Sequence, residues 1–266
     1  MALMETAPDA SYDVKLELTR EGSVALLMIN RPAARNALSS SVILQLGEAL
    51  QELAADESVR VVVLTGAAPG FCAGSDLKEL AGMSVAEMAA HEARTGQFVR
   101  SLQHIGKPVV AAVEGFALGG GFLLATGCDL VVTAENARWH LPEVALGWVP
   151  PWGLQTLVAR VGPATTRRLA WGDQPLTGAE LHRLGVADEV ADPGTALDRA
   201  TELAGRLAAL PPDAVASTKR ALSDAVVGAA ETLDARTTRL FAQDCESVAA
   251  RVSLDKFARK TPKEHA

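Results

Sequence analysis

Two stretches of the chain hold residue types that chemistry needs. The first is the glycine run Gly119-Gly120-Gly121. Five short apolar residues, Val109-Val110-Ala111-Ala112-Val113, come before it, and Phe122-Leu123-Leu124-Ala125 follows. The first five read as a buried strand and the last four as the start of a helix. Glycines let a ligand lie against the main chain. A helix start offers unpaired N–H groups and partial positive charge. Strand, glycine turn and helix start together make an anion site from backbone alone. A P-loop needs a Lys after the glycines, and none follows Gly120 or Gly121. The dinucleotide fingerprint needs a further glycine where this chain has Leu124. What remains is an oxyanion formed during a reaction, such as a thioester enolate. The competing reading is a turn that only packs a helix against a sheet. The second stretch is Pro142-Glu143, with Ala145 and Leu146 just beyond. A carboxylate among apolar neighbours has a raised pKa and exchanges protons near neutrality. The plain alternative is a solvated loop Glu.

The elements around these residues read as an α/β chain. Residues 14–18 alternate like an exposed strand, and residues 24–29 follow after a hairpin turn at Glu21-Gly22. Ser39 or Ser40 caps a helix with Ile43, Leu44, Leu46, Leu50 and Leu53 on its apolar side. A buried strand over 60–65 leads to Phe71-Cys72-Ala73-Gly74-Ser75-Asp76-Leu77. Residues 84–104 read as helix, with Met88, Phe98, Val99 and Leu102 as packing residues. After the Gly119 helix come a short strand at 130–132 and an extended run into Pro142. Helices are expected at 152–160, 163–172, 177–184 and 195–209, with a strand at 186–190. The tail from 213 reads as helix with a stripe of Ala221, Val226, Leu233, Leu240 and Val248. Residues 1–11 read as a disordered N-terminus, 12–210 as the catalytic core and 211–266 as a C-terminal helical region. No internal repeat is visible.

The ordered set of motifs resembles the enoyl-CoA hydratase/isomerase (crotonase) superfamily. The matching pieces are Asn30-Arg31-Pro32 with Arg35-Asn36-Ala37-Leu38, residues 71–77, residues 115–121, Cys128-Asp129-Leu130, Pro142-Glu143 with Leu146-Gly147, and Gly185-Val186-Ala187. Each is weak alone; in family order over about residues 12 to 260 they are specific. The resemblance implies a spiral of ββα units with a C-terminal helical trimerisation region. It implies an acyl-CoA thioester as substrate, with no separate cofactor. It places the backbone N–H groups of Ala73 and Gly120 in the oxyanion hole and Glu143 as acid/base. For substrate binding it points to Arg35, Ala37, Ser75, Asp76, Leu77, Gly119, Leu123, Trp148, Phe257 and Lys260. Arg35 and Lys260 would answer phosphate charge. The tail would pack against neighbouring subunits of a trimer or hexamer.

One departure bears on the reaction. Hydratases of this family carry a second Glu two residues after the glycine run, where this chain has Leu123. Hydration uses two carboxylates around one water. A lone Glu143 suits a shuttle that takes an α-proton and returns it at Cγ, which is Δ3 to Δ2 enoyl-CoA isomerisation. Some isomerases of the family share the Leu and have Pro and aromatic residues near Pro150-Pro151-Trp152. A bland reading of Leu123 is a helix core residue. A hydratase or hydratase-lyase on a short or aromatic acyl group is the alternative, and a non-catalytic acyl-CoA-binding paralogue is a third. Trp139, Trp148 and Trp152 are dense near Glu143 for a chain with 4% aromatics. They suggest an acyl pocket narrowed by indoles, or core packing. The Pro pair is similar to hydroxycinnamoyl-CoA hydratase-lyases, which use tyrosines. Here the matching neighbourhoods have Leu80 and Phe241, and the single Tyr is Tyr12.

Composition narrows the setting. The 266 residues are 48% hydrophobic and 21% charged, with a net charge of −7. That sign favours neither nucleic acid nor an anionic membrane. The cysteines Cys72, Cys128 and Cys245 are odd in number and widely spaced, with no metal or disulfide pattern. The five histidines form no ligand pattern. Neither a signal peptide nor an apolar run of membrane-spanning length is evident, so a reduced, cytoplasmic setting is expected.

Overall fold

The computed structural model describes residues 13–18 and 23–258. The expected disordered N-terminus and the hairpin turn at Glu21-Gly22 lie outside these residues, as does Lys260. Strands β1 (Val14–Leu18) and β2 (Val24–Ile29) are antiparallel neighbours. Helix α1 (Ser40–Ala55) starts where Val42 N–H donates to Ser39 Oγ, so Ser39 is the cap. Its buried face is Val42, Ile43, Leu46, Leu50 and Leu53. Leu44, expected on that face, is 62% exposed. One residue past Ile43 an α-helix has turned about 100°, which carries Leu44 off the stripe.

Three rungs of similar build come next. Strand β3 (Val61–Gly66) leads through Cys72 to the short helix α2 (Leu77–Leu80). After α3 (Val85–Ser101), β4 (Val109–Val113) leads through β5 (Phe116–Leu118) to α4 (Gly120–Gly127). Then β6 (Leu130–Ala134) leads through β7 (Arg138–His140) to α5 (Glu143–Leu146). In each rung one strand joins a large sheet, a shorter piece joins a small one, and a helix follows. This is the ββα spiral expected from the motifs.

Helix α6 (Leu154–Trp171) bends at Gly162, with φ 72°, just before Pro163. The two helices expected at 152–160 and 163–172 are its two arms. Strand β8 (Leu176–Thr177), α7 (Gly178–Arg183), β9 (Glu189–Ala191) and α8 (Ala196–Ala208) follow. The strand expected at 186–190 starts later. Gly185, with φ 80°, turns the chain so that Val186 N–H closes back on the Leu181 carbonyl. The tail forms α9 (Pro212–Val227), α10 (Ala230–Asp244) and α11 (Val248–Ala258).

The large sheet runs β1-β2-β3-β4-β6-β9, parallel from β2 onward. β3 and β4 are buried along nearly their whole length. Burial on both faces is what a continuous Val-rich run without alternation predicts. The small sheet is β5-β7-β8, and Cys72 adds a parallel bridge to Ala117. Helix α10 packs against α3 and α6 of its own chain. The expected tail stripe is not the buried face of the tail helices. Ala221, Leu240 and Val248 are exposed, while Lys219, Ser223, Val227, Asp234, Thr237 and Phe241 are buried. Among the described residues no helix is long and apolar enough to cross a membrane.

Candidate active site

The small sheet positions the site. Phe116, Ala117 and Leu118 pair in register with Arg138, Trp139 and His140. Cys72 N–H donates to the Phe116 carbonyl at 3.3 Å, and Leu118 N–H donates to the Cys72 carbonyl at 3.0 Å. Three parallel segments therefore end side by side. Their C-terminal ends lead into residues 73–75, 119–120 and 141–143. Ligands of open α/β sheets bind at such strand ends. A narrow cleft opens here. Ala73, Gly74, Ser75, Leu77, Gly119, Gly120, Leu123, Glu143 and Trp148 all line it.

Close backbone contact explains the glycines. A Cβ on Gly121 would sit 2.2 Å from the Cys72 carbonyl oxygen. One on Gly74, whose φ is +88°, would sit 2.9 Å from the Gly120 nitrogen. One on Gly119, at φ +54°, would lie 3.0 Å from Glu143 Oε1. The turn, the 72–75 segment and the Glu143 carboxylate are thus in direct contact.

The donor expected at Ala73 does not fit this geometry, because its N–H already donates to the Arg35 carbonyl at 3.1 Å. The bridge between Leu38 and Ser75 uses the neighbours: Leu38 N–H donates to Gly74 O, and Asp76 N–H donates to Leu38 O. Along an extended segment alternate N–H groups point to opposite sides. Ser75 N–H therefore faces away from Leu38 and makes no hydrogen bond among the described residues. Gly120 N–H, at the start of α4, is likewise unpaired among them. Two free donors at the cleft are those of Ser75 and Gly120.

Glu143 is 6% exposed, and its Oε2 has no hydrogen-bond partner among the described residues. Burial pushes its carboxyl up to about 8; its own backbone N–H opposes this and the negative charge of Glu92 adds to it. Glu92 was not singled out in the sequence. It projects from α3, is 2% exposed and lines the same cleft. Trp152 Nε1–H donates to Glu92 Oε2 at 2.7 Å. Burial raises the Glu92 carboxyl, while His91 and hydrogen bonding by Ser75 and Trp152 pull it down.

The far wall is side chains. Trp152, Trp148, Leu80, Leu146 and Phe241 close it. Trp148 and Phe241 meet edge to face at 6.1 Å. Helix α10 holds the 149–153 segment in place. Val149 N–H donates to Asp244, Gly153 N–H to Asp234, and Thr237 Oγ–H to the Pro151 carbonyl at 2.7 Å. Asp234 in turn pairs with Arg100 of α3. Trp139 is not part of this wall. Its Nε1–H donates to Thr133 Oγ1 and its ring packs on Phe122, within the core.

Several expected binding residues stand outside the cleft. Arg35 is exposed and lies over the Phe116 ring, 4.4 Å from its centroid. The Ala37 carbonyl accepts from Arg31, and Asp76 pairs with Arg31 while capping α2. Phe257 lies on α11 and does not line the cleft. The three cysteines are free and buried, and burial pushes Cys72 up to about 12, far from a reactive thiolate.

The family described as enoyl-CoA hydratase/isomerase matches residues 19–265. A 2,3-dehydroadipyl-CoA hydratase of Escherichia coli (strain K12) is 39% identical over 78% of this chain and 81% of its own length. A short-chain-enoyl-CoA hydratase of Clostridium acetobutylicum is 36% identical over 77% and 80%. The crystal structure of an enoyl-CoA hydratase/isomerase from Mycobacterium paratuberculosis superposes with a TM-score of 0.82 at 28% identity, covering 92% of this chain and 98% of the other. With the match spanning nearly the whole chain and this cleft at its centre, the protein is a member of the enoyl-CoA hydratase/isomerase family.

Proposed function

We propose that the chain binds an acyl-CoA thioester, holds its carbonyl oxygen on the N–H groups of Ser75 and Gly120, and moves a proton with Glu143. The observation that carries this is one cleft lined by two unpaired backbone donors and a buried carboxyl with a free oxygen. As a proton leaves Cα, charge passes to the thioester oxygen and is met by donors already in place. A carboxyl near 8 is partly ionised at neutral pH, so it both takes and returns a proton.

The leading reaction is the shift of a double bond from Δ3 to Δ2. Leu123 is fully buried and presents apolar surface to the cleft where a second carboxylate would otherwise stand. Glu143 alone suffices for this shift. It removes the proton at C2, the dienolate is held, and the proton returns at C4. Trp148, Trp152 and Phe241 narrow the cleft, which favours a short acyl group. A second reading, hydration of a 2-enoyl thioester, is favoured by the names of the relatives and by Glu92 in the cleft. Turnover of 3-enoyl-CoA and 2-enoyl-CoA panels tests both. Conversion of neither contradicts the proposal and favours a binding paralogue.

We also propose a homo-oligomer. Leu222, Val248 and Val252 expose apolar surface on the tail helices at 58%, 81% and 48%. A trimer or hexamer mass in light scattering is the expected result; a monomer at micromolar concentration contradicts it.

A further inference from the structure

Glu92 has no part in the proton shuttle, yet it stands in the cleft. It is carried there by α3, which is held by the Ser84–Glu87 capping box at its start and by α10 along its length. Among the described residues no cation pairs with it. Its anchor is the Trp152 indole N–H at 2.7 Å. A structural acceptor for that N–H needs no charge, and a Gln would serve as well. With no Lys or Arg beside it, a buried carboxyl here is costly, and His91 offsets only part of that cost.

We propose that Glu92 and Glu143 act as a pair that adds water to C3 of a 2-enoyl thioester, giving the site a second activity on the product of its first. The inference rests on the thioester-enolate reading above. The two residues differ in what they are offered. Burial raises both carboxyls, but Glu92 accepts hydrogen bonds that favour its carboxylate form, whereas Glu143 Oε2 is offered none and is the better proton donor. Water bonds through oxygen to C3 as one of its protons passes to Glu92. The C2–C3 π pair becomes the enolate, held on the Ser75 and Gly120 N–H groups. Glu143 then gives its proton to C2. One water has added across the double bond, and the proton on Glu92 returns to Glu143 through solvent when product leaves. The second carboxylate thus comes from α3, not from position 123 on α4.

The titratable groups facing Glu92 are His91 beside it on α3, Glu143 on α5 and Cys245 at the end of α10. Hydration needs Glu143 protonated at the start, whereas isomerisation needs it ionised. Raising pH through about 8 should therefore lower hydration and raise isomerisation. The decisive variants are Glu92→Gln and Glu92→Asp, each checked for folding by melting temperature. Probes are crotonyl-CoA for hydration and butyryl-CoA for exchange of α-hydrogen with D2O. Glu92→Gln should lower kcat for hydration by about 10²-fold or more, while α-exchange falls far less and its pH limb moves downward, because the Glu92 charge no longer raises Glu143. Glu92→Asp should restore part of the hydration. If Glu92→Gln hydrates within about threefold of the parent chain, or loses hydration and exchange equally, the inference is overturned. If it does not fold, Trp152→Phe decides. Removing the indole donor should move the low-pH limb of hydration upward, and an unmoved limb overturns the inference. If the parent chain exchanges α-hydrogen but hydrates nothing, the inference falls and the enolate reading stands. If it does neither, both fall.

Discussion

The two walls of the cleft are built in different ways. One wall is backbone: the 72–75 segment, the 119–121 turn and the start of α4, locked together by strand pairing and glycine contacts. The other is side chains: Glu92 from α3, Trp148 and Trp152 from the segment before α6, and Phe241 from α10. The first wall has almost no freedom to adjust, since carbonyls and nitrogens lie where a methyl group would go. The second is held by individual hydrogen bonds such as Thr237 to Pro151 and Trp152 to Glu92. In the proposed function, backbone positions the charge that every enolate reaction shares, and side chains decide which reaction and which acyl group follow.

Changes to the backbone wall should have the largest effects. Gly121→Ala puts a Cβ 2.2 Å from the Cys72 carbonyl, and neither backbone can yield cheaply. Parting them moves the 72–75 segment away from Gly120. Turnover should fall by about 10²–10³-fold, the typical cost of one oxyanion donor. The melting temperature should drop as well. Steady-state kinetics with near-normal turnover in this variant would break the contrast between the walls.

Glu143, at the junction of the walls, gives the next effect. Its folded carboxyl titrates near 8, above the 4.5 of an ordinary Glu. The folded chain therefore binds more protons than the unfolded one between those values, and stability falls as pH rises through that window. Glu143→Gln removes the titration. Its stability advantage over the parent chain should be absent near pH 4.5. It should grow by about 1.4 kcal/mol for each pH unit toward 8. Denaturant melts at several pH values check this, and a constant difference would contradict it.

The smallest effect belongs to the side-chain wall. Thr237→Val deletes one buried hydrogen bond to the Pro151 carbonyl. Such a bond is worth about 0.5–1.5 kcal/mol, so a change of about 2- to 10-fold in KM for acyl-CoA is expected, with kcat little altered. A hundredfold loss would mean that this wall is as rigid as the other.

The same contrast governs what the sequence revealed. The backbone wall was legible because glycine runs and Val-rich strands are local signals. Even there motif position points to Ala73, and only the bridge to Leu38 and the Arg35 carbonyl reveal that Ser75 N–H is the free one. The side-chain wall joins residues 60 and more positions apart, as Glu92 and Trp152 are. A signal for Glu92 was present: with Met88, Thr95 and Val99 it falls on the buried stripe of α3, where a carboxylate is out of place. The ββα repeat left no mark because its rungs differ, with a single bridge at Cys72 against three residues in β5 and β7. The tail stripe misled because α10 buries Asp234, Thr237 and Phe241, two of them polar residues that seat the 149–153 segment.

Making and unmaking a thioester enolate is the shared task proposed for Ser75, Gly120 and Glu143. Exchange of the α-hydrogens of butyryl-CoA in D2O, followed by NMR, reads that step alone, whatever the natural acyl group. The parent chain should catalyse exchange, faster as pH rises toward 8, as the base form of Glu143 becomes populated. Glu143→Gln should bind the thioester with similar affinity and exchange at least about 10²-fold more slowly. Exchange by Glu143→Gln at the parent rate would contradict the account.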